Sequence, residues 1–192
     1  MANINIKRTA IALVVGLTAF GATGVAVAQG GLTANLALSG TFFDVSMTHL
    51  EGEGFTLFMD GEQMGEQSVP VARLGFSHAY ASNLCLSATL PDMPMVGEST
   101  LALKANGDNS VEVRDLVVGS DDIVGALNLT DVSVGIDASQ VSPIAPQGAW
   151  GLKSDKVTLS AEKIRATAVG AKSLTASGVG VTVRKGRDNA CY

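Results

Sequence analysis

From Ala34 onward, apolar and polar positions alternate. Leu36 and Leu38 open the pattern, followed by Phe43, Val45 and Met47, then Phe55, Leu57 and Met59. Leu101 and Leu103, Val111 and Val113, Leu127 and Leu129, then Val132, Val134 and Ile136 repeat it. Val157 and Leu159, and finally Val179, Val181 and Val183, carry it to the C-terminal end. A period of two places one set of side chains on one face, so each run predicts a half-buried strand. Gly, Asn, Asp and Ser punctuate the runs and predict turns between short strands of roughly four to six residues. Only Ser160 to Ala171 holds a cluster of helix formers, and alternation runs straight through it, so a strand is expected there too. The predicted fold is all-β, an elongated stacked or meandering β-sheet, sandwich or solenoid-like, preceded by one N-terminal apolar helix.

One internal repeat interrupts this uniformity. VEVRDLVVGSDD, from Val111 to Asp122, aligns with LNLTDVSVGIDA, from Leu127 to Ala138. Asp115 matches Asp131, Gly119 matches Gly135 and Asp121 matches Asp137. Each unit reads as strand, Asp, strand, Gly, Asp, which suggests regularly stacked β-structure. Capping of strand ends is the ordinary duty of such aspartates.

The first 28 residues differ from everything after them. Lys7 and Arg8 precede an uncharged run from Thr9 to Ala28. Twenty residues at 1.5 Å each span a hydrocarbon core of about 30 Å, which fits a membrane anchor. A basic start, an apolar middle and Ala26-Val27-Ala28 before Gln29 fit a cleaved secretory signal equally. Both readings place residues 29–192 outside the cytoplasm as one extracytoplasmic β domain.

Composition narrows the function. The 192 residues are 46% hydrophobic and only 16% charged, against about 25% charged in ordinary soluble domains, so the chain is not disordered. Removal of residues 1–28 leaves 11 basic and 18 acidic residues, a net charge of −7. That balance, with Lys and Arg scattered, excludes a nucleic-acid binder and argues against a polybasic membrane-surface protein. Outside the cytoplasm, the two cysteines Cys85 and Cys191 are expected to form a disulfide. Neither has the further Cys or His neighbours that a metal site needs, and no Gly-rich phosphate loop is present, so no metal or cofactor is expected.

AVAQGGLTANLALSG, SHAYASNLCLSATLPDMPMVGESTLALKA, VSVGIDAS and the terminal Cys191 together resemble an actinobacterial family of small exported proteins of unknown function. Genome annotation often labels its members "cholesterol esterase", and they often sit beside a small multi-spanning membrane protein. The resemblance implies an envelope protein with that membrane protein, or lipid, as a possible partner, and with residues 9–28 in the membrane if uncleaved. The esterase label is testable on residues. The nearest match to a nucleophile elbow is Gly75-Phe76-Ser77-His78-Ala79, whose last position is Ala where the motif needs Gly. Adjacent strand residues point to opposite faces, so His78 cannot serve Ser77, and His49 is the base that remains. The expected function is therefore a non-catalytic envelope protein that binds or assembles with a lipid, wall component or membrane partner. A lipid-ester hydrolase using Ser77 and His49 is the alternative, and an accessory subunit of a membrane protein is a third reading.

Overall fold

Valine, leucine and small residues in alternation give strands throughout, but the strands are far longer than the punctuation predicts. A computed structural model describes residues 34–36, 41–64, 66–93 and 97–192. The strands are β1 (Ala34–Leu36), β2 (Phe43–Met64), β3 (Gln67–Ser82), β4 (Leu84–Met93), β5 (Gly97–Ala105), β6 (Val111–Asp137), β7 (Trp150–Ala171), β8 (Ser173–Ala176) and β9 (Val179–Lys185). Among the described residues a single 3-10 turn, Ala138–Gln140, follows β6. β7 covers Ser160 to Ala171 as a strand, as expected. The predicted N-terminal apolar helix lies outside the described residues, and among the described residues no helix is long and apolar enough to cross a membrane.

All strands belong to one antiparallel sheet, and the sheet closes on itself. β2 pairs with β3, β3 with β6, β6 with β7, and β7 returns to β2. Leu57 faces both Leu74 and Leu152, yet the ladder through Leu74 and Val118 arrives on β7 at Val169. The ring is therefore steeply staggered, as closure of few strands requires. Its interior holds Phe43, Leu50, Phe55, Leu74, Phe76, Val113, Val157, Leu159 and Ile164, with the Phe55 and Phe76 rings 5.1 Å apart at their centroids. β4, β5 and β9 extend from the N-terminal end of β2 as a wing beside the ring.

A row of backbone kinks crosses the ring and explains the long strands. Glu53 faces His78 and Lys156, His78 faces Arg114, and Lys156 faces Thr130. The next position on each strand, namely Gly54, Ser77, Asp115, Asp155 and Asp131, forms the row. Gly54, Asp115 and Asp131 are left-handed, with φ of 61°, 49° and 55°. At the row every strand turns two consecutive residues outward: Glu53 and Gly54, Ser77 and His78, Arg114 and Asp115, Asp155 and Lys156, Thr130 and Asp131. Buried positions thus step by three, from Gly52 to Phe55, Phe76 to Ala79, Val113 to Leu116 and Ser154 to Val157. The partners kink together, so the register is the same on both sides of the row and the strands bend without ending their ladders. Asp, Asn and Gly are the residues that visit the left-handed region with least strain.

This corrects the reading of short strands separated by turns. The aspartates of the repeat are kinks inside one continuous 27-residue strand. Because the sheet closes, β6 crosses the kink row twice, at Asp115 and at Asp131, and that double crossing is what the repeat encodes. Loosened backbone groups at the second crossing are satisfied by a buried serine. Ser154 Oγ lies within donating reach of the carbonyls of Thr130 (2.6 Å) and Lys156 (2.7 Å), which share its one proton, and accepts from the Thr130 N–H (3.2 Å). Ser120, buried at a second irregularity of β6, likewise reaches the carbonyls of Arg165 and Asp122.

The C-terminal segment straps the wing. Cys85 on β4 is bonded to Cys191, 106 residues later, with Cα atoms 5.7 Å apart. The Cys191 N–H donates to Ser87 Oγ, Asn189 donates to the carbonyls of Thr100 and Thr182, and the Tyr192 hydroxyl donates to the Ile164 carbonyl on β7. One face of β4 and β5 is thereby covered, which leaves Ser87, Thr100 and Ala102 fully buried.

Four outcomes follow for denaturant unfolding. Asp131→Val should cost about 1–2 kcal/mol through the left-handed backbone, and Asp131→Asn should be close to neutral; Ser154→Ala should cost about 1–3 kcal/mol. Reduction of Cys85–Cys191 should lower stability by up to about 4–5 kcal/mol in the chain-entropy model, read from the shift in midpoint with and without reductant.

Candidate functional site

The outward residues above the kink row line a groove of about 620 Å³. Two cross-strand rows form its floor. His78, Glu53, Lys156 and Thr130 make one; Tyr80, Glu51, Thr158 and Asn128 make the other. Between them, on the opposite face, Ala79, Gly52 and Val157 point into the core, which is why an inward apolar row alternates with two polar outward ones. Gly52 is required there, since a Cβ would lie 2.9 Å from Phe76 Cδ1 and 3.2 Å from Val157 Cγ1.

A small charged cluster flanks the groove at His78. His78 Nε2 and Glu112 Oε1 are 2.9 Å apart, and Arg114 Nη2 donates to the same oxygen at 3.1 Å. A carboxylate only accepts, so His78 carries a proton on Nε2. The Tyr80 ring stands edge-on to the imidazole at 4.8 Å. The hydrogen bond from His78, aided by Arg114, holds the Glu112 carboxyl below its ordinary value against the opposing effect of desolvation. His78, which lies beside the suspected nucleophile in sequence, is thus engaged with Glu112 and Arg114.

The structure does not bring Ser77 and His49 together. Ser77 is exposed in the kink row opposite Gly54, and His49 faces Ser82. At about 3.3 Å per strand residue the two sites are roughly 15 Å apart along the hairpin. The His49 ring instead bonds the Glu51 carboxylate at 3.2 Å. Ser77 has a steric duty: Gly54 sits directly against it, and a Cβ there would lie 2.9 Å from Ser77 Cβ. Among the described residues no cluster of His, Cys, Asp or Glu is placed to hold a metal ion.

A second surface carries a different chemistry. The core-facing side of β2 continues across the wing in two rows: Val45, Leu86, Leu103, Val181, and Phe43, Ala88, Leu101, Val183. Burial falls along both, from 7% exposure at Val45 to 60% at Val181, and from 2% at Phe43 to 64% at Val183. Leu174 on β8 and Val179 on β9 are exposed as well. The core thus runs out to an open apolar face. The sequence contained both the alternation of β9 and its valines, but alternation alone reads as half-buried and carries no sign of how far each row lies from the ring.

Comparison with known proteins adds one relationship. A family model described as "Family of unknown function (DUF6230)" matches residues 39–192. No curated protein matches the chain. No solved structure matches it either.

Because the Glu112 carboxyl is depressed in the folded state, the stability its contacts provide is present above the ordinary glutamate range and is lost as pH falls through the depressed value. Glu112→Gln should therefore weaken the acid dependence of thermal unfolding in that window while leaving the remainder of the pH profile in place. An acid limb identical to wild type would count against the His78–Glu112–Arg114 contact.

Proposed function

The chain belongs to the family of unknown function whose model matches residues 39–192, and we propose that it acts as a non-catalytic envelope protein that binds lipid at the open apolar face of the wing. In this reading residues 1–28 direct it across the membrane and either anchor it or are removed, and the β domain works outside the cytoplasm. The observation that carries the proposal is the outward continuation of the core rows to Leu101, Val181 and Val183 with no covering layer among the described residues. Monomeric proteins seldom leave a contiguous apolar patch uncovered without a partner for it. Acyl chains suit such a surface because they offer apolar area and ask for no hydrogen bonds from β5 or β9 side chains.

Hydrolysis has less behind it. A serine hydrolase needs a nucleophile and base within hydrogen-bond reach and donors for an oxyanion. Ser77 and His49 stand apart on the β2–β3 hairpin, and His49 is held by Glu51. The polar groove offers Glu53, Lys156 and Tyr80 around open solvent, a surface suited to hydrogen-bonded contacts with a polar group at the edge of the same sheet.

Binding of a fluorescent fatty acid to the purified protein tests the reading. Leu101→Glu places a charge in the centre of the face at a position that tolerates exposure, and should weaken binding at least tenfold while the unfolding midpoint moves little. Equal affinity in wild type and Leu101→Glu would place lipid elsewhere, and absence of binding in wild type would remove the proposal.

A further inference from the structure

β9 offers more than an apolar face. Among the described residues it pairs with β5 on one side and with no strand on the other, and all seven of its residues are exposed. Free sheet edges are usually blunted by shortness, by proline, by a bulge or by charged side chains, lysine above all. The other long free edge, the C-terminal half of β6, is blunted in this way: it pairs only with β7 and carries left-handed kinks at Asp131 and Gly135, with a carboxylate at the first. β9 reads Val-Gly-Val-Thr-Val-Arg-Lys, with no left-handed residue inside it and its charges confined to one end. Lipid leaves its outward N–H and C=O groups unpaired, whereas a second strand satisfies them and buries the valines in the same step.

We propose that β9 of a second copy of this chain occupies the edge, antiparallel, about a two-fold axis at Thr182. Full overlap of Val179–Lys185 with itself sets that register. It places Val181 opposite the partner's Val183, Gly180 opposite the partner's Arg184 and Val179 opposite the partner's Lys185. The cations fall at opposite ends and face no like charge, whereas a parallel pair would set Arg184 against the partner's Arg184 and Lys185 against the partner's Lys185. Such an interface is self-complementary and closes at two copies. It also joins the two apolar faces on the same side of one continuous sheet, since paired residues in an antiparallel ladder share a face. The pairing goes beyond the lipid-binding reading and does not require it, because the edge and its register are present without lipid.

The mass of the purified full chain in mild detergent, without added lipid, tests the pairing by light scattering. Wild type should run at twice the monomer mass. V181K/V183K sets lysine against lysine at both central pairs and should run as a monomer; V181K/V183E sets lysine against glutamate and should restore the dimer. Both positions are more than half exposed, so the fold tolerates charge there. If the double-lysine variant fails to fold, an oxidised mixture of V181C and V183C chains should give a covalent dimer joining one of each, and a mixture of V179C and V183C should not. A monomeric wild type, a double-lysine variant that stays dimeric, no rescue by V181K/V183E, or no V181C–V183C linkage would each overturn the proposal.

Discussion

The structure depends on a shared change of phase. A closed sheet of very long strands must bend sharply, and a strand that keeps strict alternation through a sharp bend turns its apolar face out of the core. Here every strand of the ring adds one outward residue at the same transverse row, so all of them change phase together and the core stays continuous on both sides. Three of the five positions, Gly54, Asp115 and Asp131, take up the bend by entering the left-handed region. Ser154 supplies the hydrogen bonds that the loosened ladder lacks. A bend in one strand without the others would leave either an unpaired ladder or an apolar residue in water, each costing more than the backbone strain of a single aspartate.

The same row builds the polar groove. Two consecutive outward positions per strand put twice the usual density of polar side chains on that surface, and the antiparallel ladder brings Glu53, His78, Lys156, Arg114 and Thr130 side by side. Bend and groove are therefore one feature. His78 illustrates the consequence. In strict alternation it would point away from Ser77, but the phase change turns both outward, and the ring then engages Glu112 and Arg114. Chemistry inferred from strict alternation at this sequence was bound to misplace one of the two.

Much of this was legible before the fold was known. Alternation marked nearly every strand, Ser160 to Ala171 included, and the even cysteine count in a chain read as exported paired Cys85 with Cys191. The repeat even contained the phase change: Val111, Val113, Leu116 and Leu127, Leu129, Val132 step by two and then by three. The sequence reads as a turn there because Asp and Gly end strands far more often than they kink them, and local sequence does not distinguish the two. What decides is the neighbouring strand. Gly54 and Ser77 have no sequence relation to Asp131, and only closure of the sheet puts them in one row. The groove was invisible for the same reason, being assembled from four strands with no shared motif.

The open apolar face follows from closure as well. β7 takes the second edge of β2, so the sheet curls inward over β2, β3, β6 and β7 and supplies its own opposite wall there. β4 still borders β2 and shares that wall in part, which leaves Leu86 half-buried. β5 and β9 lie beyond it, yet their inward positions continue the rows that start at Phe43 and Val45. The C-terminal strap through Asn189, Cys191 and Tyr192 covers the other face and leaves this one uncovered. The disulfide, which spends its loop closure on the wing, thus fixes a surface whose apolar side faces outward. The wing combines a disulfide-held frame with exposed valines on β9, an edge strand that pairs only with β5 among the described residues.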